Sequence, residues 1–451
     1  MIPGASGKRT LSEHRIAELN DIFILNLKKM REIKASEFND VTVGSKPVLV
    51  DFYSTDCPPC DALAPKMDGL EKLFGKDITF VKIFRQKNRE LAESLGVRSS
   101  PTLLFYEGGK EVCQRLSGGI KRSDIIREIS HITGKEKAEK IMAGVKPVIT
   151  ETDVAILGAG PGGLTAGLYL CQAKINTTLI DVALPGGYMA TTHMISNYPG
   201  FIEPQPGYML SHSMSEQTRK CGTVYRVAVD VSKIDLEKKE IIIDDYETVR
   251  AKKIIIATGT SPRKLDIPGE QEFLGNGISY CATCDAKYYD NKDVVIIGGG
   301  NSAIEESAFI SKFASRIIIV HQFDQLQANR NAQEKAFSDP KISFLFSHEP
   351  RSFSRKGDKM EVEVEGLKTG KRKNIQTDGI FIFIGLIPNL AMFKDKLELD
   401  AWGYIKTDED MKTSIEGVYS VGDINSKKYR QITTAVADGT IAAIAITREL
   451  E

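Results

Sequence analysis

The sequence predicts an α/β chain in which a small redox unit precedes two nucleotide-binding units. Three observations carry this. Two segments, "DVAILGAGPGGLTAGLYL" and "DVVIIGGGNSAIEESAFI", each run apolar strand, glycine turn, helix. Two Cys-x-x-Cys pairs, "STDCPPCDA" and "ISYCATCDA", lie far apart in the chain. Apolar runs of strand length alternate with helical patterns along most of the rest, as in βαβ folds. The 451 residues leave room for two to four domains of ~100–200 residues.

Bulk properties exclude several classes. Lys+Arg and Asp+Glu are equal at 60, so no net charge draws the chain to nucleic acid or to a membrane. No run of ~18 apolar residues is present, and the first residues show neither an apolar signal core nor a small-residue cleavage pattern. Seven cysteines, four of them in CxxC pairs, is the usage of a reducing compartment, which predicts a cytoplasmic protein.

In chain order, residues 1–30 are polar, with Ile16, Leu19, Ile22, Phe23 and Leu27 at helical spacing, and are expected to form a solvated or loosely docked extension, the alternative being a partner-binding helix. Residues 31–134 read as one mixed unit. "PVLVDFY" is a buried strand running into CPPC, "ALAPKMDGLEKLFG" a helix bearing a proline, "ITFVKIF" a strand and "NRELAESLGV" a helix. "SSPTLLFYEGGKEVCQRLSG" is a hairpin with a Gly-Gly turn, and "IKRSDIIREISHITG" a helix that Gly134 would cap. Residues 135–150, charged and then holding Gly and Pro, are expected to be a linker.

In the first glycine turn Gly158 permits the tight turn, Gly160 the approach of a pyrophosphate, and Gly163 close helix–strand packing. The following helix offers free N–H groups and a positive dipole end. Asp181, ending the next strand, stands where an acid would hold a ribose hydroxyl. The second turn has Gly298, Gly300 and Ala303, but its next strand ends in His321-Gln322-Phe323, without an acid for a ribose or an arginine pair for a 2′-phosphate. The two CxxC pairs are too far apart in sequence for a zinc knuckle, so no metal is expected. CPPC at the end of a strand and the start of a helix suits a redox pair, the helix dipole favouring a thiolate on Cys57. Cys113, Cys171 and Cys221 are isolated and expected to be packing residues, and none of the six histidines is expected to be catalytic.

Against this background residues 31–134 resemble thioredoxin. Asp51 matches its buried acid, Cys57 and Cys60 its redox pair, and Pro101 its cis-proline. Asp56, Asp61 and Ser100 depart from the usual neighbours. Residues 151–451 resemble the low-molecular-weight, bacterial-type thioredoxin reductases through "GAGPGG", "NYPGF", "IIATGTSPR", "SYCATCDA", "GGGNSAIEE", "GIFIFIGLIPN" and "VYSVGDINSKKYRQITTAVADG". The resemblance implies two Rossmann-like domains of the two-dinucleotide-binding flavoprotein type. FAD would be held by 151–262 and 388–451, and a nucleotide domain, 263–387, would be inserted between. FAD would meet Gly158, Gly160, Pro161 and Gly163, then Asp181, Gly187, Tyr188 (where the family has glutamine) and Asn197. Thr258, Gly259, Gly422 and Asp423 would line the site, closed by Arg430, Gln431 and Ile432. A nicotinamide dinucleotide would use Gly298, Gly300, Asn301, Ser302 and Ala303. Cys284 would lie against the flavin, Cys281 would attack the thioredoxin disulfide, and Asp285 would exchange the proton. Gln322, Phe323 and Gln327 replace the family's arginine clamp for the NADPH 2′-phosphate, leaving Arg330 as the nearest substitute, so the choice between NADPH and NADH is open and a ferredoxin or reduced flavin becomes a candidate donor.

The function so implied is a thioredoxin-disulfide reductase fused to its own thioredoxin, passing electrons to protein disulfides and forming a homodimer. The rivals are an alkyl hydroperoxide reductase-type flavoprotein serving a peroxiredoxin, whose N-terminal part usually holds two thioredoxin folds, and a non-catalytic redox sensor, which needs only one CxxC pair.

Overall fold

The structure is a computed structural model describing residues 30–451 except 193, 196 and 394. The extension read at residues 1–30 lies outside the described residues apart from Met30. The described chain divides into two units, the first reaching to Pro147 and including Ala228–Asp230, the second made of Val148–Val227 and Val231–Glu451.

In the first unit the central strand β1 (Val48–Tyr53) lies between parallel β2 (Thr79–Phe84) and antiparallel β3 (Thr102–Glu107). Arg31–Glu32 extends the sheet at one edge and Lys110–Glu111 at the other. β1 reads as an unbroken apolar run because both faces are covered. Leu49 points to a core with Leu63, Met67, Leu70 and Phe74, all on α1 (Pro58–Phe74), while Val48, Val50 and Phe52 point to the opposite core with Val81 and Ile83. The glycine pair Gly108-Gly109 turns the hairpin with both φ values positive, 56° and 77°, as a type I′ turn requires. α2 (Arg89–Ser94) and α3 (Arg122–Thr133) complete the covering layers.

The segment read as a linker differs from expectation. It forms α4 (Lys135–Ala143), whose Ala138 is buried in the first core with Ile141 and Met142 packed against it. Three apolar residues at i, i+3 and i+4 suffice for one buried stripe, and the abundant charges around them hid it.

In the second unit, parallel strands β4 (Val148–Leu157), β5 (Thr177–Asp181) and β6 (Glu247–Ile256) form the centre of a seven-stranded sheet. α5 (Pro161–Gln172) follows the first glycine turn and packs on α6 (Gly207–Cys221). The chain leaves this lobe through β7 (Thr260–Pro262). It then builds a five-stranded parallel sheet that includes β8 (Asp293–Ile297) and β9 (Arg316–His321), together with α7 (Ala282–Asp285), α8 (Asn301–Ile310) and α9 (Arg330–Ser338). It returns through β10 (Leu386–Pro388), which pairs antiparallel with β7. This two-stranded ribbon carries both crossings between the lobes. β11 (Val418–Ser420) then joins β6 in the first sheet, and α10 (Ile432–Leu450) packs against α5.

Candidate active site

In the first unit β1 delivers the chain to the start of α1, where Cys57 is the N-cap and Pro58, lacking an N–H, begins the helix. Cys57 and Cys60 are disulfide-bonded, both buried, and the Cys60 N–H donates to Cys57 Sγ at 3.3 Å. The Ser100–Pro101 peptide is cis. The Ser100 carbonyl lies 3.6 Å from Cys57 Sγ, and the Ser54 and Ser100 hydroxyls are hydrogen-bonded at 2.7 Å. That hydroxyl pair was not foreseen; its signal was a serine on each side of the redox pair, far apart in sequence. Asp51 is buried and its Oδ1 has no hydrogen-bond partner. Burial pushes its carboxyl up to about 7, against the opposing pull of the Lys82 ammonium.

In the second unit Cys281 caps α7 in the same manner. Its sulfur is disulfide-bonded to Cys284 and accepts the Cys284 N–H at 3.2 Å. The Cys281 N–H donates to Ser279 Oγ at 3.0 Å, and Asp285 sits at the end of the same turn. Upstream, the buried Glu270 carboxylate accepts the N–H groups of Leu265 and Asp266 and the Tyr280 hydroxyl, which fixes the strand entering the pair.

A cavity of about 1530 Å³ opens beside the first glycine turn. Gly158 has φ 110°, and a Cβ there would lie 2.2 Å from the Ala257 carbonyl oxygen, so only glycine fits. Gly160 and Pro161 line the cavity; Gly163 does not, its added Cβ falling 2.0 Å from the Gly158 oxygen, which marks it as a packing residue. Asp181 lines it as well, accepting the N–H groups of Ala159 at 2.6 Å and Ala183 at 2.8 Å. Gly187, Tyr188 and Asn197 form one wall, Thr258 and Gly259 another. Gly422 and Asp423 complete it with Arg430, Gln431 and Ile432, and Asn197 donates to Gln431 at 3.1 Å. Asp423 Oδ1 is buried without a hydrogen-bond partner, though Lys427 stands 3.6 Å away. A buried acceptor facing a cavity behind a glycine cradle fits a ligand carrying hydroxyl donors and a pyrophosphate, as FAD does.

The inserted lobe closes this cavity with α8 and α9, through Ser302, Ile304, Glu305, Glu306 and Asn329 among others. Cys284 is exposed, and neither it nor Cys281 lines the cavity. Cys284, expected against the flavin, is thus not among the residues that line the cavity, although Cys281 Sγ lies 3.9 Å from the carbonyl of Thr191, next to the wall residue Thr192. Sequence reasoning also missed Glu306. Its Oε2 is buried without a partner, and burial, with Glu305 adding to it, raises the carboxyl to about 7. The charge of Glu306 in turn reinforces the burial that holds the Tyr188 hydroxyl protonated.

A second cavity of about 720 Å³ surrounds the second glycine turn, lined by Gly298, Gly300, Asn301 and Ser302. Ala303 is buried beneath the turn rather than lining it. Gln322 and Gln327 face the cavity and Phe323 does not; its ring meets His321 edge-on. His321 is buried, and burial lowers its pKa, so it brings no positive charge. Arg330 does not take up the role offered to it: it is exposed, outside the cavity, and paired with Glu334 at 2.9 Å. The cations that do line the cavity are Arg263 and Arg351, and Arg351 is held by Glu365 at 2.9 Å and Glu349 at 3.0 Å. Among the described residues no group of three or more metal-ligating side chains is present, and no helix is long and apolar enough to cross a membrane.

Two CxxC disulfides and two glycine cradles on one chain match known proteins. Residues 152–439 match the family model "pyridine nucleotide-disulphide oxidoreductase", and residues 29–131 match "thioredoxin". The chain belongs to the pyridine nucleotide-disulphide oxidoreductase family. This disulfide oxidoreductase is 41% identical over 306 residues to the thioredoxin reductase of Peptoclostridium acidaminophilum, covering 66% of the chain and 97% of the relative. It is 40% identical over 295 residues to a 34.2 kDa protein in the rubredoxin operon of Clostridium pasteurianum, covering 65% and 96%. Among solved structures, the Lactococcus lactis thioredoxin reductase in its FR conformation superposes with TM-score 0.63 at 38% identity, over 66% of this chain and 98% of that one. The thioredoxin reductase of T. acidophilum gives 0.62 at 32%, over 66% and 99%. The oxidoreductase is therefore a flavin-dependent enzyme of the two-dinucleotide-binding fold with a thioredoxin domain on the same chain.

Proposed function

We propose that the chain is a thioredoxin reductase that carries its own thioredoxin as a natural fusion. It would be a cytoplasmic homodimer delivering electrons to protein disulfides. The observation that carries this reading is the pairing of two disulfides, Cys281–Cys284 and Cys57–Cys60, each capping a helix and each with its second cysteine's N–H on the first sulfur. Residues 31–134 form the thioredoxin domain, 151–262 and 388–451 the FAD domain, and 263–387 the inserted domain.

Bound FAD supplies a two-electron store that can reduce Cys281–Cys284. Gly158, Gly160, Pro161, Asp181 and Asp423 would hold it, with Arg430 and Gln431 closing the site. Since Cys284 is exposed in this conformation, the inserted lobe must turn about the β7–β10 ribbon to bring the pair to the cavity. Once reduced, Cys281 attacks the Cys57–Cys60 disulfide and Cys284 resolves the mixed disulfide, releasing a dithiol. Each departing sulfur leaves as a thiolate that then takes up a proton, and Asp285 beside one pair and Asp51 on the strand behind the other are the acids placed to give it. With a carboxyl near 7, Asp51 can hold or give a proton at neutral pH.

The donor reading is that NADPH is recognised weakly. Charge-assisted hydrogen bonds are worth ~1.5–3 kcal/mol each, so losing two arginines costs at least about a hundredfold in preference for a 2′-phosphate. In the second cavity Arg351 is held by Glu349 and Glu365, and His321 is neutral. A one-electron protein donor such as a ferredoxin, or a reduced flavin, is the alternative source.

The test is insulin-disulfide reduction by the full chain with each donor. Cys281→Ser and Cys284→Ser should each abolish it while flavin stays bound; Cys57→Ser should abolish it while the Cys281–Cys284 pair is still reduced. Full insulin activity in Cys57→Ser would remove the thioredoxin domain from the path. Rapid turnover of a peroxiredoxin with none of insulin would favour the hydroperoxide reductase reading.

A further inference from the structure

Three thiols stand outside the redox pairs: Cys113, Cys171 and Cys221. The fold brings two of them together. Cys171 lies in the last turn of α5 and Cys221 is the last residue of α6. The helices approach closely at Gly167, where an added Cβ would lie 3.1 Å from Thr218 Cγ2. The hydroxyls of Thr218 and Thr223 donate to the carbonyls of Leu164 at 2.9 Å and Gly167 at 3.0 Å, clamping the end of α6 along one face of α5. The two sulfurs then cross over. Cys171 Sγ donates to the Cys221 carbonyl at 2.7 Å, while Cys221 Sγ lies 3.9 Å from the carbonyl of Leu168, in the α5 turn that holds Cys171. Both cysteines are half-buried.

We propose that Cys171 and Cys221 are a second kind of redox site, a thiol pair that a hydroperoxide converts to a third disulfide. The bond would close the chain from 171 to 221 into a loop containing Asp181, Gly187, Tyr188 and Asn197, a wall of the large cavity. Cys221 attacks the peroxide: an S–O bond forms, the O–O bond breaks, and hydroxide leaves. Cys171 then attacks that sulfur: the S–S bond forms, the S–O bond breaks, and a second hydroxide leaves. The two thiol protons convert both hydroxides to water, so two thiols lose two electrons to one peroxide. Burial, reinforced by Cys221, pushes the Cys171 thiol up to about 11, so it stays protonated until it resolves the intermediate. That separates its chemistry from the two CxxC pairs, which answer to disulfides.

The test uses the full chain as isolated, with both CxxC pairs oxidised. It is treated with hydrogen peroxide, denatured, alkylated and digested. The expected result is one peptide pair joined through Cys171 and Cys221, two hydrogens lighter than the separate peptides. Alkylatable thiols should fall from three to one. The linked protein should unfold several degrees higher by circular dichroism, and dithiothreitol should reverse this, since closing a loop restricts the unfolded chain. Cys171→Ser should lose the link and leave sulfenic or sulfinic acid on Cys221, while Cys113→Ser should keep the link. Full alkylation of Cys171 and Cys221 after peroxide, or a link made to Cys113 instead, would overturn the proposal. Because the link is read by mass, its outcome does not depend on whether FAD is the ligand of the cavity.

Discussion

Asp51 shows how much one residue can set. Its burial on β1 with an unpaired oxygen raises its carboxyl to about 7, well above the ordinary carboxylate value of 3.8. The unfolded chain therefore gives up this proton near pH 4 and the folded chain only near pH 7. Between those values the native state binds more protons than the unfolded state, so stability falls as pH rises. Asp51→Asn should remove that slope and make the protein more stable at pH 8, by up to ~4 kcal/mol for a gap of about three pKa units at ~1.36 kcal/mol each. Urea denaturation of both proteins at pH 5 and pH 8 measures it, and an unchanged slope would mean the carboxyl ionises normally. Glu306 was less legible. The motif "GGGNSAIEE" announces a carboxylate on α8, but not that its Oε2 is buried without a hydrogen-bond partner or that its charge acts on Tyr188, since that influence joins two segments distant in sequence.

At the scale of elements, the glycine turns and CxxC caps were readable because each is a local rule: a positive φ, a strand end and a helix start within a few residues. Gly158→Ala tests the first rule. With its Cβ 2.2 Å from a carbonyl oxygen, the turn must open, and flavin content after purification should drop at least tenfold while α10 and the inserted lobe still fold. α4 was missed because a short buried stripe in a charged segment has too few apolar positions to stand out. Arg330 was misjudged for a related reason. Closeness in sequence to the missing clamp said nothing of where α9 would aim it, and α9 turns it outward to Glu334. Replacing Gln322 and Phe323 together with arginine should raise the rate of flavin reduction by NADPH at least tenfold over NADH in stopped-flow absorbance. No change would place the nucleotide elsewhere.

At the scale of the whole molecule, having carrier and reductase on one chain makes the proposed exchange between the two CxxC pairs a first-order event. A tether sets the local concentration, in the millimolar range for a short flexible connection that can span the sites. Insulin turnover per chain should therefore hold constant on dilution from micromolar to nanomolar protein, whereas a free carrier would be diluted away. The two-stranded ribbon β7–β10 has a mechanical corollary. In the proposed cycle the lobe joined by these two adjacent strands would turn as on an axle, and each half-cycle would drag it through solvent. If that swing governs the cycle, friction with the medium enters the rate. Turnover should then slow in proportion to viscosity as glycerol or sucrose is added, while one-step reduction of the flavin in the resting conformation stays indifferent to it.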